Sequence, residues 1–78
     1  MKTFTQQSNA ADISIYLNKG KWFVSILNKF PIMEAKTIEL WNDYEDAEIK
    51  AEKLFKELVA GIAKRYNMKE LIAICMRY

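Results

Sequence analysis

The chain contains no histidine, one cysteine, one proline and two glycines. Without histidine it lacks the commonest acid–base group near neutral pH and the commonest metal-binding ring. Ser-His and Cys-His nucleophilic pairs are excluded within the chain. Cys75 stands alone, so there is no internal disulfide and no Cys-x-x-Cys site. Small secreted domains usually rely on disulfides, so a reducing, cytoplasmic setting is expected. Two glycines cannot supply a Gly-rich phosphate loop. The longest apolar run, Leu71 to Met76, is far too short to span a bilayer, and no membrane partner is expected. The opening Met1 to Gln7 lacks the apolar stretch of a secretory leader. No internal repeat or low-complexity tract is present.

What remains suits one folded unit. The chain has 78 residues, of which 51% are hydrophobic and 28% charged, enough apolar content for a core but only one. The formal charge of +2 does not mark a nucleic-acid binder.

Residues 1–11 are mostly Thr, Gln, Ser, Asn and Ala, and read as a loosely ordered arm that Phe4 can dock. The folded domain is expected over residues 12–78. From Asp12 to Asn18, Ile13, Ile15 and Leu17 alternate with Ser14, Tyr16 and Asn18, the period of a strand. Asn18-Lys19-Gly20-Lys21 is a turn, and Trp22 to Lys29 returns as the second strand of a hairpin. Phe30-Pro31 ends it, because proline cannot donate to a ladder. Met33 to Trp41 reads as a third strand. Asn42 or Asp43 then caps a long helix, with Tyr44, Ala47, Ala51, Leu54, Phe55, Leu58, Val59, Ile62 and Tyr66 as its apolar stripe. Asp46–Lys50 and Glu52–Lys56 form i,i+4 pairs on its outer side. Gly61 falls in mid-helix, where it would let the helix approach the sheet. Lys64 and Arg65 suit the helix C-terminus, and Asn67 reads as its left-handed stop. Lys69 to Tyr78 reads as a last strand, apolar at every position from Leu71 to Met76. The expected fold is therefore α+β: a single β-β-β-α-β domain, a mainly antiparallel sheet of about four strands with one long helix on one face.

One helix leaves one sheet face uncovered. With the aliphatic parity inward (Ile13, Ile15, Leu17, Trp22, Val24, Ile26, Ile38, Leu40), the other parity carries Tyr16, Phe23, Leu27, Lys29, Thr37, Trp41, Ala73, Cys75 and Arg77. A face of this kind is expected to be covered by a second copy, by another protein or by stacked bases. In the last case Tyr16, Phe23 and Trp41 would stack while Lys19, Lys21, Lys29 and Arg77 met phosphates. Charge is also unevenly placed: residues 1–42 carry +2, residues 43–57 carry −3 and residues 58–78 carry +3. Asp43, Glu45, Asp46 and Glu48 have two readings. They complement the helix dipole, or they form an acidic ridge that imitates a nucleic-acid backbone or caps a basic groove. Their spacing is not that of a calcium loop, and no metal site or cofactor is expected. Cys75 reads as an inert core thiol, and Trp22 and Trp41 as packing groups.

Two resemblances bear on function. Lys21-Trp22-Phe23-Val24-Ser25-Ile26, followed by Trp41-Asn42-Asp43-Tyr44-Glu45-Asp46-Ala47 leading into Ala51-Glu52-Lys53-Leu54, is similar in outline to the N-terminal arm domains of phage integrases. Those domains bind DNA with a three-stranded sheet backed by a helix. They usually end at the helix and are more basic than this chain. In size, architecture and lack of catalytic groups the whole chain resembles phage inhibitors of bacterial defence, the anti-CRISPR proteins. That resemblance implies stoichiometric binding to a large nucleoprotein target without catalysis. The expectation is a non-enzymatic inhibitor or adaptor that binds a protein or nucleoprotein through Asp43, Glu45, Asp46 and Glu48, with Tyr16, Phe23, Lys29, Trp41 and Arg77 as sheet-face anchors. The alternatives are a nucleic-acid-binding module and a structural homodimer.

Overall fold

The computed structural model describes residues 3–61 and 66–78. Four strands, β1 (Thr3–Gln7), β2 (Ala11–Asn18), β3 (Lys21–Asn28) and β4 (Glu34–Asn42), precede two helices, α1 (Ala47–Ala60) and α2 (Met68–Cys75). The strands form one antiparallel sheet in the order β1-β2-β3-β4. The α+β class and the four-stranded antiparallel sheet match the sequence reading, but the element order does not. The fourth strand lies at the N-terminus, and the C-terminal segment is a helix.

The β2–β3 hairpin follows directly from the sequence. Asn18 pairs with Lys21 across a two-residue loop in which Lys19 has φ 51° and Gly20 φ 79°. Positive φ at both loop positions gives the twist that matches the flanking strands. Alternation then sends Ala11, Ile13 and Ile15 of β2 and Trp22, Val24 and Ile26 of β3 into the core, all fully buried.

Residues 3–7, read as part of an arm, instead pair with β2 from Thr3 opposite Tyr16 to Gln7 opposite Asp12. Phe4 is what holds them. Its ring lies 6.3 Å from that of Trp22 and 5.7 Å from that of Phe55, beneath α1. Ser8 closes the turn: its hydroxyl donates to the Ala11 carbonyl at 2.8 Å and accepts the Ala11 N–H at 3.0 Å.

β3 and β4 are joined through a cis Phe30–Pro31 bond, beside which Phe30, Ile32 and Met33 stand exposed. Their ladder breaks between Lys21 and Phe23, where β4 holds one residue more than β3. Such a bulge re-aims side chains. It turns Trp41 to the helix side, where its indole Nε1 donates to the Ala47 carbonyl at 3.2 Å.

α1 begins later than the sequence suggested. Asp46 is its N-cap residue, without a side-chain cap bond, while Asp43 accepts the Trp22 Nε1–H at 3.2 Å. Ala47, Ala51, Leu54 and Leu58 form its buried face over β1 and β2. The helix ends at Gly61, whose N–H reaches the Leu58 and Val59 carbonyls, so Gly61 is a cap and not a mid-helix contact. Ile62, Lys64 and Arg65, assigned to this helix from the sequence, lie outside the described residues.

Asn67, read as a stop, is instead the start of α2. Its side chain accepts the Glu70 N–H at 2.7 Å. Asn67 and Glu70 thus hold the cap and third-residue positions of a capping box. Leu71 is the one fully buried residue of α2, and the helix lies against β4. Asn28 ties the two layers together, its buried Nδ2 donating to the Tyr66 carbonyl at 3.0 Å.

Candidate functional site

Both helices pack on the same face, so among the described residues nothing covers the other. Strand register arranges that open face in three rows. Thr3, Tyr16, Phe23 and Glu39 form one row across all four strands. Thr5, Ser14, Ser25 and Thr37 form the next, a line of four hydroxyls. Gln7, Asp12, Leu27 and Ala35 form the third. At the centre of the first row the Tyr16 and Phe23 rings stack, with centroids 5.6 Å apart and planes 18° apart. This pairing follows from the tight hairpin, which sets the two residues directly opposite on central strands.

The charges of this face cancel locally. Lys21 lies 3.3 Å from Glu39 at one end, and Lys29 lies 2.8 Å from Asp12 at the other. Of the three lysines expected to meet phosphates, Lys21 and Lys29 already have a carboxylate beside them. Among the described residues the middle of the face is therefore free of unpaired charge, with an aromatic centre, a hydroxyl row and two closed ion pairs. Lys19, in the hairpin turn, adds an exposed cation at its edge.

Comparison with protein-family models, with curated proteins and with solved structures returns no match.

The remaining sequence candidates are dispersed. Trp41 faces the helices, as described, and is not a sheet-face anchor. Arg77 follows α2, where its guanidinium pairs with Glu57. Ala73 and Cys75 also lie on α2 and not in a strand. Of the four acids at the start of α1, Asp43 is bonded to Trp22, Glu48 is partly buried, and Glu45 and Asp46 are exposed. The expected Asp46–Lys50 pair is absent. Lys50 instead donates to the Tyr44 hydroxyl at 2.6 Å, with its ammonium 4.4 Å from the centre of the Trp41 ring. The Glu52–Lys56 pair is present at 3.8 Å. Among the described residues no three acidic or thiol side chains gather as a metal would require. No described helix is long and apolar enough to cross a membrane.

Cys75 sits half-buried between α2 and β4. Burial, and to a lesser degree the Glu57 carboxylate, push its thiol up to about 11 from an ordinary 9.0. A thiol held protonated is a poor nucleophile. Glu57 is itself gripped from two sides, accepting from Arg77 and from the Tyr78 hydroxyl at 2.6 Å.

Sequence reasoning missed a second feature, a groove of about 530 Å³ between β4 and α2. Its walls include Leu40, Trp41, Lys50, Ile72 and Met76. It exists because the C-terminal segment is helical, so a strand assignment there conceals it. The legible signal was the Asn67–Glu70 capping spacing.

Proposed function

We propose that the protein works by binding and not by catalysis, as an inhibitor or adaptor that docks a protein partner through the open face of its sheet. The observation that carries this reading is the stacked Tyr16–Phe23 pair at the uncharged centre of the face. Charged residues are depleted at the centre of protein interfaces, and aromatic groups there carry a large share of the affinity. A phosphate backbone needs unpaired cations, and Lys21 and Lys29 are both committed to carboxylates. The exposed Glu45 and Asp46 offer an acidic flank for a basic partner surface. Burial that holds the Cys75 thiol toward its protonated form, together with the lack of histidine, supports a role without nucleophilic chemistry.

The stacked rings on an open sheet favour one second reading, single-stranded nucleic acid laid across Tyr16 and Phe23. Site-specific photocrosslinking tests the proposal. A photoreactive phenylalanine analogue placed at position 16 should yield a discrete protein adduct in cells, and the same analogue at exposed Glu52 should not. Equal adducts from both positions would refute the docking face. Anisotropy of a labelled oligonucleotide at two salt concentrations tests the second reading: a saturable signal that collapses with salt would establish it and displace the first. A fully dimeric protein with the position-16 analogue crosslinked only to a second copy would replace both with a structural homodimer.

A further inference from the structure

We infer that the groove between β4 and α2 is a second docking site, which takes an extended peptide carrying a carboxylate flanked by apolar residues at alternate positions. Three observations converge. β4 is an edge strand, so among the described residues no strand pairs with one side of its backbone, which can accept an added strand. Beside that edge lies the groove, with a volume in the range of ligand-binding clefts and with Ile72 and Met76 exposed along it at 41% and 80%. Every second side chain of a strand added to β4 would point into it. The third observation is charge. The Lys50 ammonium stands in the groove against the Trp41 and Tyr44 rings, bonded to a neutral hydroxyl and, among the described residues, to no carboxylate. The acid at the groove lip, Glu39, is engaged by Lys21. The cation is thus left for a carboxylate from outside.

A second copy fits less well. Lys36 lies opposite Ile26 on the helix-facing side of β4, paired with Glu34, and its side chain is only 14% exposed. An inward-pointing charge of this kind guards an edge against continuous pairing. Two copies joined along all of β4 would bury two such lysines. A short peptide beside Ile38 to Trp41 avoids them.

The test uses the full chain and a displayed library of random heptapeptides with free carboxyl termini. Selected peptides should share alternate apolar residues and a carboxylate. Bound peptide should slow amide exchange along β4. Lys50→Met should weaken binding about tenfold, and Ile72→Asp should abolish it. Phe23→Ser, on the opposite face, should leave it unchanged, which separates this site from the open-face reading. Failure of the library to enrich, binding indifferent to Lys50→Met and Ile72→Asp, or binding without protection of β4 would each overturn the inference.

Discussion

Releasing α2 should make Cys75 reactive while the sheet stays folded. Leu71 is the only side chain of α2 that is fully buried, and Leu71→Ala removes its anchor. Such a truncation costs about 2–5 kcal/mol, against a total stability of roughly 4–12 kcal/mol for a chain of this length. With eight residues, α2 is well below the ~12–15 an isolated helix needs, so once loosened it melts. Cys75 then loses the burial and the Glu57 field that hold it near 11 and returns toward 9.0. At pH 8 this raises the thiolate fraction about a hundredfold. A less basic thiolate is a weaker nucleophile, which takes back about a factor of eight. The net gain is about tenfold from ionisation alone, with easier access added to it. The assay is the rate of reaction with an excess of chromogenic disulfide at pH 8, read beside amide exchange in β2 and β3. A variant that reacts at the parent rate, or whose sheet amides lose protection in step with the thiol reaction, would refute the argument. In the second case Leu71 would be a support of the whole core and not the pin of one helix.

Two further outcomes follow from the same geometry. Gly20→Ala should destabilise by about 1–2 kcal/mol in urea unfolding, because φ is +79° there, while a built Cβ meets no atom within 4 Å. Gly20→Asn should recover most of that loss, and equal losses would show that something other than backbone strain is at work. Stability should also fall as pH rises from about 9 through about 11. In that window the unfolded chain has released the Cys75 proton and the folded chain retains it, so the stabilisation present below 9 is lost. The Tyr78 hydroxyl, held up first by its hydrogen bond to Glu57 and then by burial, acts in the same direction. Cys75→Ala should flatten the slope measured by urea titration at successive pH values, and an unaltered slope would remove Cys75 as its source.

The hairpin and the inward parity of β2 and β3 were legible because alternation and a Gly turn point to one answer. β1 was not: Thr-Phe-Thr-Gln-Gln offers one apolar side chain, and only the tertiary contact of Phe4 with Trp22 and Phe55 decides that it pairs. The run Leu71 to Met76 fits a buried strand or a packed helix equally by hydrophobicity alone. The cap at Asn67 resolves it, and the same residue serves equally well as a helix stop when the preceding helix is drawn too long. The candidate site divides in the same way. Tyr16 and Phe23 could be placed from parity alone, since the β2–β3 register is regular. Trp41 could not, because parity counting assumes an unbroken ladder and the bulge in β4 inserts a residue. Arg77 followed the misassigned last strand. The closed pairs Lys21–Glu39 and Lys29–Asp12 join residues distant in sequence, so pattern alone showed Lys21 and Lys29 as free cations where the fold pairs both.

The sheet order has a consequence for how the chain reaches this fold. Each strand pairs with the strand next to it in sequence, so no pairing waits for a distant segment. Such local closure lowers the entropy cost of the search and favours rapid folding. All four strands lie within the segment that ends at Asn42, ahead of both helices in the sequence. The contacts that must wait for distant segments are those of the helical layer, such as Phe4 with Phe55 and Asn28 with Tyr66, and the loop-closure cost of the fold is concentrated there.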